Sequence, residues 1–131
     1  MEMIHIMTRH PETINHDDSL LKAKEMMDVG GFRRLPVLKN GEIVGMLTER
    51  NLREHFGYLE STKVNATMSA PVVSVGPNST VQEAARLMLR HKIGGLPVVD
   101  GGKLVGIVTT IDMLRAFLDV VESYERTRTH S

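Results

Sequence analysis

Short aliphatic runs alternate along this chain with longer stretches in which apolar residues return every third or fourth position. The clearest case lies in the second half. Val72-Val73-Ser74-Val75 is β-branched and short, and Gly76-Pro77-Asn78 closes it, which predicts a strand and then a break. Ser79 with Gln82 three residues on has capping-box spacing, so Ser79 is the expected N-cap of a helix. Val81, Ala84, Ala85, Met88 and Leu89 follow at helical spacing, and Gly94-Gly95 is the expected end of that element. Residues 96–99 and 103–108 read as strands joined by Asp100-Gly101-Gly102, a hairpin signal. Thr109 opens a last helix through Asp112, Met113, Leu114, Phe117, Leu118 and Val121.

The first half carries the same succession. Asp17 or Asp18 is the expected cap of a helix over 20–28, and Asn40-Gly41 is the hairpin turn. Leu35-Pro36-Val37 returns 61 residues later as Leu96-Pro97-Val98, and Gly41, Val44-Gly45 and Thr48 return at the same offset. Upstream, Met7, Ala23 and Met27 match Met68, Ala84 and Met88. The window 35–52 laid over 96–113 holds seven identities in 18 positions, all in one register. The chain is therefore two copies of one unit, 1–62 and 63–124, with a polar tail over 125–131. Each copy is expected to be an α+β unit of βαββα order, too small to cover both faces of its sheet. Stacking the two about a pseudo-twofold axis hides one face of each and leaves two related clefts, at strand ends beside helix starts.

Composition narrows the function. The 131 residues carry 16 basic and 16 acidic side chains and no Cys, which removes disulfides, thiolate metal sites and a Cys nucleophile. Residues 1–65 hold nine Lys/Arg against ten Asp/Glu, and the rest hold seven against six, so neither half offers nucleic acid or an anionic membrane a basic face. No apolar run reaches the ~18 residues of a membrane span, and the N-terminus lacks the features of a signal peptide. A cytoplasmic chain is expected. The six His show no metal-ligand spacing, no Ser elbow or placed carboxylate pair suggests catalysis, and the nine Met read as core filling. No enzyme activity and no required cofactor are expected.

The repeated motifs resemble those of the cystathionine-β-synthase (CBS) domain family in its tandem arrangement, the Bateman module. The likeness rests on Arg33-Arg34-Leu35-Pro36-Val37 and on Gly45-Met46-Leu47-Thr48-Glu49-Arg50-Asn51-Leu52, with their second-copy counterparts beginning at Gly94 and Gly106. It implies a regulatory module that takes an adenosyl compound (AMP, ADP, ATP or S-adenosylmethionine) in its clefts, dimerises with a second copy and signals to a target protein. The family's Gly-x-x-Thr-x-x-Asp motif falls on Gly106, Thr109 and Asp112, where Thr and Asp would hold a ribose or phosphate. In the first copy Thr48 is kept, but Asn51 replaces the acid.

The same resemblance assigns a phosphate contact to Arg34, just before Leu35-Pro36, whereas the second copy has Gly95 before Leu96-Pro97. It assigns base contacts to Thr13 and to Val73-Ser74, with Ile14, Val75, Ile93, Ile107 and Val108 as candidate apolar walls. A plainer account of the polar pairs competes with this: Thr48 and Thr109 are good N-caps, and Asn51 and Asp112 suit the third helical position. On that account the chain is a ligand-free dimerisation scaffold. The two clefts are not equivalent on either account.

Overall fold

A computed structural model describes residues 1–130. The elements run α1 Met3–Ile6, β1 Thr8–Arg9, β2 Ile14–Asn15, α2 Leu20–Gly30, β3 Arg34–Lys39, β4 Glu42–Thr48 and α3 Glu49–Arg53, then a 3-10 turn at Val64–Ala66. The second copy supplies α4 Val81–His91, β5 Gly95–Asp100, β6 Lys103–Thr109 and α5 Thr110–His130. The expected α+β architecture is present, as two three-stranded sheets of order β2-β3-β4 and β1-β6-β5. The two hairpins are superimposable in register: Arg34 faces Thr48 as Gly95 faces Thr109. Each slips once at the equivalent place, after Val37 and after Val98. Asn40-Gly41 and Gly101-Gly102 both turn with positive φ, the geometry that suits a two-residue hairpin loop.

The copies exchange their leading segments. Residues ahead of β2 belong to the second sheet: β1 pairs with β6, and the Met3 N–H donates to the Ser79 carbonyl at 2.9 Å. The linker ahead of the second copy does the converse. Ser69 exchanges two backbone hydrogen bonds with Met46, and the Val64 N–H donates to the Asp18 carbonyl. Two cores result. Leu20, Ala23, Met27, Leu35, Val37, Leu47 and Leu52 enclose Val64 from the linker, and Val75, Ala84, Met88, Leu96, Val98 and Val108 enclose Met3.

Gly45 and Gly106 show why that exchange needs glycine. A Cβ at Gly45 would lie 2.6 Å from the Met68 sulfur, and one at Gly106 would lie 2.6 Å from the Met7 sulfur and 2.8 Å from the Thr8 carbonyl.

Four local expectations need correcting. The cap of α2 is Ser19, whose hydroxyl accepts the Lys22 N–H at 3.2 Å, and not Asp17 or Asp18. Asp18 instead accepts the Asn15 N–H and pairs with Lys22, both at 3.1 Å. In the second copy the capping box is Thr80 with Glu83, one residue later than Ser79 with Gln82, because the Ser79 hydroxyl is taken by the Gly76 N–H at 2.9 Å. Helix α4 ends at His91 with Lys92 in the left-handed region, so Gly94-Gly95 lies beyond the helix and Gly95 already opens β5. The expected strand over 72–75 shrinks to a single bridge between Val75 and Val98. Helix α5 continues through 125–130, the backbone of the segment set apart as a tail. Among the described residues no helix is long and apolar enough to cross a membrane.

Candidate functional site

Strand ends from both copies meet at a cleft of about 520 Å³. The first copy contributes Arg33, Arg34, Met46, Thr48 and the outer turn of α3, and the second contributes Val72, Val73 and residues 92–95 with Pro97. Such a volume lies in the range of small-molecule sites. Thr48 caps α3, and both its N–H and its hydroxyl proton are engaged with Asn51. The Asn51 Oδ1 accepts from the Thr48 N–H at 2.9 Å and from its hydroxyl at 3.1 Å, while the Asn51 N–H donates back to that hydroxyl at 3.4 Å. This leaves the Asn51 side-chain NH2 as the unused donor of the pair. The second copy repeats the arrangement: an Asp112 carboxylate oxygen accepts the Thr109 N–H at 2.8 Å and the Thr109 hydroxyl at 3.1 Å. Capping by Thr48, Asn51, Thr109 and Asp112 is therefore a fact of the structure.

Arg34 differs from everything around it. Its side chain runs from β3 across to the second copy, over Gly94 and Gly95. A Cβ at Gly95 would lie 2.6 Å from its Cδ and 2.9 Å from its Nε, and one at Gly94 would collide with the guanidinium itself. The Arg-Arg and Gly-Gly pairs noted in sequence are thus two sides of one fit. Among the described residues the Arg34 guanidinium makes no hydrogen bond or ion pair, unlike Arg33, which lies 3.6 Å from a Glu49 carboxylate oxygen. Half-burial depresses the Arg34 pKa below the usual arginine range, and repulsion from Arg33 adds to it.

Of the residues singled out in sequence, the cleft gathers Arg34, Thr48, Asn51, Val73, Gly95 and Pro97. Leu35, Pro36 and Leu96 have fully buried side chains, so only their backbone could meet a ligand. Thr13, Thr109 and Asp112 do not line this cleft, and Ser74 lies in a separate shallow groove of about 360 Å³ with Ser79, Glu83, Arg86 and Arg90. Ile93 is a cleft wall, whereas Ile14, Val75, Ile107 and Val108 are buried outside it. Arg50, Arg53 and Lys92 line the cleft and were not anticipated. Their signal was in the alignment of the copies, where Ile111, Leu114 and Gly31 stand in their places.

Comparison with known proteins places these observations. The family model described as CBS domain matches the chain twice, over residues 3–58 and 63–119. The CBS domain-containing protein YhcV of Bacillus subtilis is 34% identical over 110 residues, covering 82% of this chain and 79% of that protein. The inosine-5′-monophosphate dehydrogenase of Korarchaeum cryptofilum is 37% identical over 102 residues, but the chain spans only 21% of its length. Among solved structures, the CBS domain pair of protein MJ0100 in complex with 5′-methylthioadenosine and S-adenosyl-L-methionine superimposes with a TM-score of 0.82 at 25% identity, covering 89% of this chain and 95% of that one. CBSX2 in complex with AMP gives 0.82 at 27% identity, covering 91% and 97%.

Proposed function

The chain belongs to the CBS-domain family, carrying two CBS domains in tandem, and from that premise we propose that it is a regulatory module that binds an adenosyl ligand between its copies and signals to a partner protein. The observation that carries this reading is the cleft itself. It joins strand ends of both copies and receives a half-buried guanidinium that no protein group answers. The adenosyl ligands named for the MJ0100 pair and for CBSX2 support the same class of ligand here. Thr48, Asn51, Val73 and the 95–97 backbone are the proposed nucleoside contacts of this cleft. Thr13, Thr109 and Asp112 are proposed for a phosphate-free adenosyl group on the opposite side of the pseudo-twofold axis.

A thermal-shift panel of AMP, ADP, ATP, S-adenosylmethionine, NAD and GTP tests the reading. A bound ligand at 100 times its Kd adds about 2.7 kcal/mol, several degrees for a domain of this size. Stabilisation by adenosyl compounds is expected. A second reading has its own observation: both Thr-x-x-Asn/Asp pairs are satisfied as capping interactions without any ligand. If no compound in the panel raises the melting temperature, the dimerisation scaffold stands and the binding module falls.

A homodimer is part of either reading. Leu114, Phe117, Val121 and Tyr124 form an exposed stripe on α5, with 53%, 61%, 36% and 64% of their surface open. Their 3-4-3 spacing maps onto itself when a second α5 is laid antiparallel, with Leu114 opposite Tyr124 and Phe117 opposite Val121. That self-complementarity is what an isologous twofold contact requires, and it makes a second copy of this chain the proposed occupant.

A further inference from the structure

The shallow groove of about 360 Å³ on the second copy runs between α4 and the segment 74–79 that leads into it. Ser74 and Val75 form one wall, and Arg86, Leu87 and Arg90 form the other. Both arginines are exposed, and among the described residues neither makes a side-chain hydrogen bond or an ion pair. The acid beside them, Glu83, turns a carboxylate oxygen back to the Thr80 N–H at 3.4 Å as part of the α4 cap. The first copy carries Glu25 and Val29 where these arginines stand, so the cationic pair belongs to one copy alone.

The opposite wall has a free backbone edge. The Val75 N–H donates to the Pro97 carbonyl at 3.1 Å, and the Val75 carbonyl accepts the Val99 N–H at 2.8 Å. Both backbone groups of Val75 thus face β5, and in an extended chain the adjacent residues turn theirs the other way. On that outer edge Gly76 is answered locally, its N–H by the Ser79 hydroxyl at 2.9 Å and its carbonyl by the Ser79 N–H at 3.1 Å. Ser74 is not: among the described residues neither its backbone groups nor its hydroxyl makes a hydrogen bond. Side chains alternate as well, so Val73 lines the cleft while Ser74 lines the groove, and one segment walls both.

We propose that this groove docks an extended acidic segment of a partner protein, added as a short strand along Ser74 with its acids on Arg86 and Arg90. A free edge N–H and carbonyl offer a peptide main-chain bonds that a nucleic acid or a lipid does not return. The two arginines stand four residues apart on α4, about 6 Å along its axis. Alternate residues of an extended chain are about 6.6 Å apart, so acids at positions i and i+2 of a strand match the pair. No two Asp or Glu stand two positions apart in these 131 residues, which makes the occupant another protein and not a second copy. The groove stands independently of the adenosyl reading; only its service as the signalling contact rests on that reading.

Fluorescence anisotropy on the full chain, with a labelled peptide of alternating Glu and Val, tests the docking. The comparison probes are the same peptide with Gln for Glu, two isomers N-methylated on the Glu or on the Val amides, and a single-stranded oligonucleotide of equal charge. Saturable binding of the acidic peptide is expected, with the Gln form and at least one N-methylated isomer about tenfold weaker. Exposed charge pairs contribute little each, so Arg86→Ala or Arg90→Ala alone weakens binding about two- to fivefold. Arg86→Glu with Arg90→Glu abolishes it, and the thermal transition of each variant shows that it is folded. Undiminished binding by the charge-reversed variant, of the Gln peptide or of both N-methylated isomers overturns the proposal. An oligonucleotide bound more tightly than the peptide, or no peptide bound at millimolar concentration, overturns it as well. Each of these failures leaves the adenosyl reading intact, because that reading is tested in the cleft by other ligands.

Discussion

Arg34 is the residue on which the account turns, and it carries a stability consequence of its own. Its pKa is depressed, so the folded state disfavours the protonated form, and at every pH below that depressed value the charge is held at a cost. Arg34→Met, which keeps the stem and drops the charge, should therefore stabilise the ligand-free protein at neutral pH. The gain is expected to stay under about 1 kcal/mol, because the group is only half-buried and water screens the rest. Urea unfolding of the ligand-free pair measures it, and a clear loss of stability would make Arg34 a structural residue instead. In sequence Arg34 could be named but not placed. The doublet Arg33-Arg34 does not by itself distinguish its two members; the structure shows one guanidinium paired with Glu49 and the other laid across Gly94 and Gly95. Asn51 and Asp112 were legible as caps for a simple reason: their partners lie three residues away.

Individual elements were read well where the pattern was long and poorly where two candidate residues stood side by side. Helix α4 has its apolar spacing where expected, yet its cap moved from Ser79 to Thr80 because a second, local bond claims the serine hydroxyl. Thr80→Ala should cost about 1 kcal/mol through the lost cap, whereas Gln82→Ala should be near neutral. Matched chemical denaturation of the two variants decides between the registers, and the reverse order would restore Ser79 with Gln82. The entrance strand over 72–75 failed for another reason: β-branched residues suit a strand, but only Val75 finds a partner on β5, through two backbone bonds. Helix α5 poses the opposite problem, an apolar face with nothing of its own chain to cover it. Phe117→Asp, at the middle of the stripe, should convert a dimer to the 14.6 kDa monomer without unfolding it, since Phe117 is 61% exposed. Light scattering at micromolar concentration reads both states, and a wild type already monomeric removes α5 as an interface.

At the scale of the whole molecule, the repeat announced two stacked units but could not say which leading segment serves which sheet. Met7 and Met68 are equivalent in sequence, so either could sit over either glycine. Only the fold shows Met7 on Gly106 and Met68 on Gly45. A double-mutant cycle tests the exchange. Gly106→Ala should cost about 1–3 kcal/mol by overpacking. Met7→Ala should relieve part of that cost, while combining additively with Gly45→Ala. Coupling of Met7 with Gly45 instead would contradict the exchange. The same interleaving builds the cleft, because it fixes Val72 and Val73 of one copy against Thr48 and Asn51 of the other. The central claim is that this inter-copy cleft is where an adenosyl nucleotide binds, and amide chemical-shift mapping during a titration with ATP tests it most directly. The account predicts that Arg34, Thr48, Asn51, Val73, Gly94 and Gly95 shift together and saturate with one midpoint. Shifts confined to the groove around Ser74, Glu83 and Arg90, or none at all at millimolar ATP, would contradict it.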